Sequence, residues 1–403
     1  MAIKTFLCIS NYFKGNDFLI NLKKQNNKVY LVTSEKLRDK PWAFDALDDI
    51  FFMPGQDVDW NLDNLLLGVA SFMKNNKIDA IVALDDFDVE KAAFLRENLR
   101  VNGMGQTTAR YFRDKLAMRI KAKEAGIAVP AFSSLFNDED INTFADNVAA
   151  PWVLKPRSEA SASGIEKVYS KEDLWDKIHK LGDNRMKFLV EQFKPGAVYH
   201  CDALNWNGKA EFSLVSEYLA TPMEISQGGG IFRSANVPYN SSDEKEIKKV
   251  NQQVMKAFGM LHGATHTEFI KCNEDGKIYF LETASRVGGA HLAEMVEAAS
   301  GVNLWGEWAK IEDALAKDLN YNKPKSVKEY GGIVLTLSKY EHPDLSAFIN
   351  EELFFMVPLE YHAGLVVKSK EHGRVRTLLD DYAERLIADF ATVVEQKKVD
   401  KFH

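Results

Sequence analysis

Cysteine is scarce in this sequence, and the few cysteines lie far apart. Cys8, Cys201 and Cys272 are the only three in 403 residues. Their spacing matches neither a zinc-ligand pattern nor a disulfide framework, so we expect a reducing compartment and a cytoplasmic location.

Long apolar runs and an excess of basic residues are missing as well. No apolar stretch approaches the ~20 residues that span a membrane. The apolar start, residues 1–10, is short, lacks a small-residue cleavage site and leads into a polar turn, which favours a first β-strand over a signal peptide. The formal net charge of −7 argues against a nucleic-acid binder, which usually carries a basic face. We therefore expect neither a membrane nor a nucleic acid as a partner.

The glycine-rich dinucleotide fingerprint is absent from the place where it would be expected. Residues 11–16, Asn-Tyr-Phe-Lys-Gly-Asn, follow the first strand, which argues against a nicotinamide or flavin site there. Amphipathic segments, one of them at 62–73, alternate with short apolar strands at 5–9, 28–33, 50–53 and 80–84. This alternation predicts an α/β domain with a parallel sheet.

The remainder of the chain mixes hairpins with helices, and its length favours two or three domains in all. Strands are predicted at 149–156, 188–193, 200–204, 211–218, 265–271, 277–282, 332–337 and 364–369. Two helices are predicted within about 107–125, and one each at about 244–261 and 377–394.

A lysine stands where phosphate could be bound. Lys155 ends an apolar strand and is followed by a loop of small residues, 158–164. Such a loop can close over phosphates because few side chains block its backbone N–H groups. The loop has one glycine, so a plain surface loop is the alternative. Lys115, on a predicted helix, is a second candidate phosphate ligand or else a solvated lysine.

Two glutamates are predicted to face each other. Glu268 and Glu282 lie in apolar strands that should pair as a hairpin. Two carboxylates at such a short distance repel each other unless a cation or proton lies between them. Mg²⁺ is commonly held by carboxylates together with phosphate oxygens. The alternative is a solvated sheet face.

Arg286 is followed by Gly288 and Gly289, ahead of a helix predicted at about 290. This pattern indicates an anion site, or else a turn with a solvated arginine.

Together these segments resemble the ATP-grasp superfamily, in particular its carboxylate–amine ligase branch, to which L-amino acid ligases belong. Five short motifs occur in the family's order. They are Asp114-Lys115, Leu154-Lys155-Pro156 with its loop, Glu191-Gln192-Phe193, the pair Glu268 and Glu282, and Arg286.

The resemblance covers the whole chain and implies its organisation. A Rossmann-like α/β domain with a parallel sheet is expected at 1–110. An α+β nucleotide domain with the ATP-grasp fold follows at 111–325, with a mobile lid at about 121–190. A small C-terminal α/β element is expected at 326–403.

The same resemblance implies ATP and Mg²⁺ as cofactors, with one or two ions and Mn²⁺ as a substitute. Lys115 and Lys155 would bind the α- and β-phosphates, and Glu268 and Glu282 would hold the metal. Arg286, catalytic together with Lys155, would neutralise the transferred phosphoryl group. The nucleotide site would further comprise Glu191, Gln192 and the backbone of Phe193 at the adenine edge, and Ser161, Ser163 and Gly164 in the closing loop.

The sequence departs from the family pattern at two positions. Ala284 stands where many members have an asparagine that binds a second metal ion, and Val198 stands where many have an acidic residue for the ribose. His200 or Asp202 is a candidate to replace that acid.

The implied reaction joins a small-molecule carboxylate, such as an amino acid, to an amine through an acyl phosphate, with release of ADP and phosphate; a homodimer is compatible with it. The alternatives are a non-catalytic ATP-binding regulatory module and a biotin-carboxylase-like enzyme. Candidate substrate residues are Arg233, Gly288, Gly289 and His291. Asp85, Asp86 and Asp88, at the carboxyl end of a strand, could meet an amino group or cap a helix.

Overall fold

The chain begins with a four-stranded parallel sheet, as the strand–helix alternation predicts. The structure is a computed structural model that describes residues 2–55, 59–159, 164–221 and 230–392. The strand order is β3-β2-β1-β4. The strands are β1 Thr5–Ser10, β2 Lys28–Ser34, β3 Asp49–Met53 and β4 Ala80–Ala83, and the helices are α1 Asn16–Lys24, α2 Leu62–Met73 and α3 Val89–Leu99. Both faces are apolar: Phe6 and Cys8 pack towards α1, while Leu7 and Ile9 pack with α2 and α3.

A small antiparallel sheet follows in the segment that was predicted to be a lid. Its order is β5-β8-β6-β7. The strands are β5 Phe132–Ser134, β6 Trp152–Pro156, β7 Glu166–Val168 and β8 Phe188–Gln192, with helices α4 Gln106–Arg110 and α5 Lys115–Glu124 before them and α6 Asp138–Asn147 and α7 Lys171–Leu181 between them. Ile141, Trp152 and Leu174 belong to a separate apolar cluster under this sheet. The sheet therefore has a core of its own.

An eight-stranded antiparallel sheet forms the centre of the molecule, in the order β13-β12-β9-β10-β11-β14-β16-β15. Its first strands are β9 Gly196–Trp206, β10 Lys209–Tyr218, β11 Phe232–Asn236, β12 Gly263–Cys272 and β13 Ile278–Ala284, with helices α8 Ser242–Phe258, α9 Leu292–Ser300 and α10 Leu304–Ala316. Helix α10 packs on α1 of the first domain, where Asn27 donates to Asp313 at 2.6 Å.

The C-terminal strands complete this same sheet. They are β14 Tyr330–Leu337, β15 Leu353–Met356 and β16 His362–Ser369, followed by helix α11 His372–Asp389. The β11–β14 pair joins them to the rest. The helix begins and ends five residues earlier than the sequence predicts, and β15 was not predicted because its four residues are too few for a clear alternation.

The predicted fold class is confirmed: a parallel α/β domain precedes antiparallel sheets of the α+β kind. The limits at 110 and 325 stay predictions. Among the described residues, none of the helices has the length and apolar character that crossing a membrane would require.

Gly196 lies opposite Cys272 where strand β9 pairs with β12, and this contact provides a test of the sheet. An added Cβ would lie 2.0 Å from the Lys271 carbonyl oxygen, so Gly196→Ala should lower the free energy of unfolding by ~2 kcal/mol or more. Gly68 lies at an exposed position of α2 with open space around it, so Gly68→Ala should raise the free energy of unfolding by ~0.5–1 kcal/mol. Urea unfolding of both variants measures the difference, and equal midpoints would contradict the close approach of β9 to β12 at Gly196.

Candidate functional site

A cavity of about 410 Å³ lies between the small sheet and the large sheet. Its charged lining comprises Lys115, Lys155, Lys167, Lys194, Glu159, Glu191, Glu268 and Glu282. Its apolar lining includes Val153, Ile165, Phe193, Val198, Ile270 and Leu281. Seven of the predicted site residues thus line one cavity: Lys115, Lys155, Glu191, Gln192, Phe193, Glu268 and Glu282.

Lys115 is the first residue of helix α5 and lines the cavity between the two sheets. Asp114 caps this helix by accepting from the Leu116 N–H at 3.0 Å and also pairs with Arg157 beyond β6. The Lys115 Nζ lies 2.7 Å from a Glu282 carboxylate oxygen and donates to the Glu159 carbonyl oxygen at 2.6 Å. Lys115 therefore connects the predicted metal glutamate to the start of the small-residue loop.

Lys155 is held inside the cavity by Glu191 from the neighbouring strand. Their charged groups form an ion pair, and the second Glu191 oxygen accepts from the Arg119 Nε at 2.9 Å. Burial lowers the pKa of Lys155 to about 8, against the opposing effect of Glu191. Burial would raise the pKa of Glu191, but Arg119 and Lys155 outweigh it and the pKa is lowered.

This arrangement differs from the one the sequence predicts for Glu191. Its carboxylate is occupied by two cations and points to Lys155, whereas the resemblance implied a contact with adenine. Sequence reasoning also missed Arg119, which is fully buried. The available signal was its spacing, four residues after Lys115, which places both on one face of α5.

Gln192 and Phe193 form the wall beside Glu191. The Gln192 N–H donates to the Ala131 carbonyl at 2.7 Å, and the Phe193 N–H donates to the Pro151 carbonyl at 3.0 Å. The Lys167 Nζ lies 4.4 Å from the centroid of the Phe193 ring. The backbone N–H of Phe193 is thus already used within the protein.

Glu268 and Glu282 are direct partners across the β12–β13 pair, and a bulge follows Glu268. The predicted hairpin is confirmed. Glu268 accepts from the Tyr218 hydroxyl at 2.8 Å. Burial would raise the pKa of Glu282, but Lys115 lowers it. Two carboxylates from adjacent strands, facing a cavity lined with lysines, fit a divalent cation that also carries an anionic ligand.

A buried polar network lies next to Glu268. Asp202 bonds the Nδ1 atoms of His200 at 2.7 Å and of His266 at 2.8 Å, and the His266 Nε2 lies 3.6 Å from Glu268. Burial opposes protonation, but Asp202 and Glu268 raise the pKa of His266 to about 9. His200 and Asp202, the candidates to replace the ribose acid, are both fully buried in this network, and that role stays a prediction.

Arg286 faces the first domain. Its guanidinium pairs with Asp86 after β4 and donates to the Val287 carbonyl at 2.8 Å. Burial would raise the pKa of Asp86, but Arg286 holds it well below its usual range. Within the described part of the chain, Asp86 Oδ1 and Arg286 Nε are buried without a hydrogen-bond partner. The two domains therefore meet at an ion pair with unused polar atoms.

The neighbouring aspartates have local partners. Asp85 accepts from the Phe87 N–H at 3.0 Å, as a cap does, and pairs with Lys14. Asp88 accepts from the Asn11 side chain at 2.7 Å. Burial raises the pKa of Asp88 to about 6.

The remaining predicted substrate residues are spread out. Gly288 packs so closely on the network that a Cβ would lie 3.0 Å from Asp202 and His266. Gly289 accepts from the Leu292 N–H at 3.0 Å. Helix α9 begins at Leu292, two residues later than predicted. His291 directly precedes it, and its Nδ1 lies 3.3 Å from a Glu294 carboxylate oxygen. Arg233 pairs with Asp380 of α11 at 2.6 Å, so this cation is tied to the C-terminal helix.

The closing loop is described only in part. Ser161 and Ser163 lie outside the described residues. Gly164 has a left-handed backbone with φ of 69°. It directly precedes Ile165, which lines the cavity.

A parallel α/β domain followed by two antiparallel sheets with a cavity between them is the ATP-grasp fold. Residues 148–294 match the family model described as "ATP-grasp domain". The chain therefore contains an ATP-grasp domain, as the sequence motifs predict.

Curated relatives extend this similarity beyond the domain. The L-arginine-specific L-amino acid ligase of Bacillus subtilis is 28% identical over 314 residues, which cover 74% of this chain and 73% of that protein. The D-alanine–D-alanine ligase of Neisseria gonorrhoeae is 24% identical over 204 residues, 50% of this chain and 66% of that protein. The predicted resemblance to the carboxylate–amine ligase branch is confirmed.

A solved structure shares the fold over nearly the full length. The L-amino acid ligase of Bacillus licheniformis superposes with a TM-score of 0.72 and 15% identity, and covers 98% of this chain and 99% of that one. At this identity the likeness concerns the fold alone.

The buried state of Lys155 predicts a particular dependence of stability on pH. Its pKa falls from 10.5 in the unfolded chain to about 8 in the folded chain. Between these values the unfolded chain holds more protons on this group, so the group's contribution to the free energy of unfolding rises with pH. The free energy of unfolding of the wild type minus that of Lys155→Met, both measured by urea unfolding, should therefore become more positive from pH 8 to pH 10. Parallel pH profiles would show that Lys155 keeps its ordinary pKa.

Proposed function

We propose that this protein is an ATP-dependent ligase that joins a small carboxylate to an amine through an acyl phosphate and releases ADP and phosphate. The observation that carries the proposal is the facing pair Glu268 and Glu282, opposite Lys115 and Lys155 in one cavity. Two lysines suit the charge of a triphosphate, and two carboxylates suit its metal ion.

Lys115 and Lys155 would bind the α- and β-phosphates. Both are buried against carboxylates, so each ammonium keeps its position before the nucleotide arrives. The adenine would lie against the apolar wall that includes Phe193 and Ile270. The segment after Glu159, with Ser161, Ser163 and Gly164, would cover the phosphates.

Glu268 and Glu282 would hold Mg²⁺, which when bound offsets the charge of the phosphate oxygens. Mn²⁺ has similar preferences for oxygen ligands. Ala284 offers no side-chain ligand beside Glu282, which favours one protein-held ion over two. The Tyr218 hydroxyl on Glu268 fixes that carboxylate in the cavity.

Arg286 would stabilise the transferred phosphoryl group. A carboxylate oxygen of the substrate attacks the γ-phosphorus and ADP leaves. The neutral amine then attacks the acyl carbon, the C–O bond to phosphate breaks, and phosphate leaves with the proton that the nitrogen gives up. Arg286 lies between Asp86 and the turn at Gly288, where a fixed guanidinium stabilises developing negative charge without reorganising.

The first domain would bind the amine. Asp86 is buried, keeps one carboxylate oxygen without a partner in the described structure and pairs with Arg286 through the other. An ammonium group of an amino acid substrate would satisfy that oxygen close to the catalytic arginine. Gly288, Gly289 and His291 stay candidates for the acid subsite, while Arg233 is engaged by Asp380. The cytoplasmic location and a homodimer stay predictions.

A non-catalytic ATP-binding module is the second candidate, and Ala284 is the feature that favours it. A screen of amino acids and small carboxylates for ADP and phosphate release separates the two. A ligase releases both products only when its substrates are present, whereas a regulatory module binds ATP without such stimulation.

Glu282→Gln tests the metal assignment. Loss of outer-shell partners alone costs about 10–100-fold, so replacing the ligand itself should lower turnover roughly 100-fold or more while the fold is retained. The matched control is Glu274→Gln in the exposed turn of the same hairpin, which should leave turnover unchanged. Near-wild-type turnover of Glu282→Gln on an identified substrate would remove Glu282 from the metal site.

Substrate labelled with heavy oxygen in its carboxylate tests the route. An acyl phosphate transfers one labelled oxygen to the released phosphate, which mass spectrometry detects. Ligation with unlabelled phosphate would exclude this intermediate, and formation of AMP and pyrophosphate would indicate an adenylate.

A further inference from the structure

Arg119 is the largest side chain that is fully buried in the described structure. It lies on α5 one turn after Lys115 and is not among the residues that line the cavity. Burying a guanidinium costs several kcal/mol unless it is paired and hydrogen-bonded. A buried arginine beside a nucleotide cavity therefore requires an account of its partners.

Those partners come from both sheets. The Nε donates to Glu191 of β8 at 2.9 Å, and Nη1 donates to the carbonyl of Leu281 in β13. The Leu281 carbonyl belongs to the residue before Glu282. The guanidinium also lies 5.8 Å from the centroid of the Phe280 ring. Arg119 thus bridges the strand that bears Glu191 and the strand that bears Glu282.

Glu191 divides its carboxylate between two cations. One oxygen accepts from Arg119 and the other pairs with Lys155. The three groups together carry one net positive charge. Without Arg119, Glu191 and Lys155 would form a neutral pair, and the carboxylate would be free to rotate. The lysine would then lose both its fixed position and the excess charge that attracts a phosphate.

We propose that Arg119 is a positioning residue of the nucleotide site: it orients Glu191 so that the Lys155 ammonium stays directed at the phosphates. The proposal rests on the proposed function, because it takes the cavity to be the nucleotide site. It assigns Arg119 no contact with the nucleotide, and its effect passes through Lys155.

The test compares a ligand that has phosphates with one that lacks them. Binding of Mg-ADP and of adenosine is measured by calorimetry for the wild type, Arg119→Met, Lys155→Met and the double variant. Arg119→Met should weaken Mg-ADP roughly tenfold, as expected for one charge-assisted contact, and change adenosine less than twofold. The double variant should bind Mg-ADP about as weakly as Lys155→Met alone.

Two further variants control for folding and for charge. Arg110→Met removes an exposed arginine of the preceding helix α4, whose Nε lies 3.9 Å from Glu90, and should bind both ligands like the wild type. Arg119→Lys keeps the charge but cannot donate to Glu191 and Leu281 with the same fork, so its affinity for Mg-ADP should fall between the wild type and Arg119→Met. If Arg119→Met does not fold, as judged by its thermal transition, Arg119→Lys with and without Lys155→Met provides the same comparison.

The outcomes separate this proposal from the one on which it rests. Equal loss of Mg-ADP and adenosine would indicate a general structural role for Arg119 and overturn the proposal. Unchanged Mg-ADP affinity, or additive effects in the double variant, would overturn it as well. In each of these cases, binding of Mg-ADP and adenosine by the wild type would still support the cavity as the nucleotide site. A wild type that binds neither ligand would overturn the nucleotide assignment and the role of Arg119 together.

Discussion

The ion pairs made by helix α5 and Lys155 are the constraint on which the site depends. Lys115 pairs with Glu282 of the large sheet and donates to the Glu159 carbonyl, in the segment between β6 and β7 of the small sheet. Arg119 repeats this arrangement one turn later. Because a buried charge needs its partner, the separation of the two sheets and the charge of the cavity between them are determined by the same contacts.

The first domain takes part in this electrostatic arrangement from the other side. Asp86 follows β4, at the carboxyl edge of the parallel sheet, and meets Arg286 of the large-sheet domain. Carboxyl edges of parallel strands are where ligands of open α/β sheets bind. The packing of α10 on α1 holds this edge against Arg286, so catalysis as proposed requires both domains.

Local patterns in the sequence were sufficient for much of this structure. The alternating strands, the turn Asn-Glu-Asp-Gly at 273–276 and the two apolar strands beside it predict both the sheet and the opposition of Glu268 and Glu282. Partners that are distant in sequence could not be predicted in this way. Arg119 reads as an ordinary helical arginine, and only the fold brings Glu191, 72 residues later, to its guanidinium. The burial of His200 and Asp202 likewise depends on strands that pair across 60 residues or more.

The order of strands in the large sheet has a consequence for synthesis of the chain. Strand β11 pairs on one side with β10 and on the other with β14, which lies almost 100 residues later. The Asn236 side chain accepts from the Gly331 N–H at 2.7 Å across this seam. Until β14 leaves the ribosome, the unpaired edge of β11 is an open template for another strand. The segments that line the cavity, up to Glu282, are therefore synthesised before the strand that covers this edge, and the edge stays open to other strands during that interval.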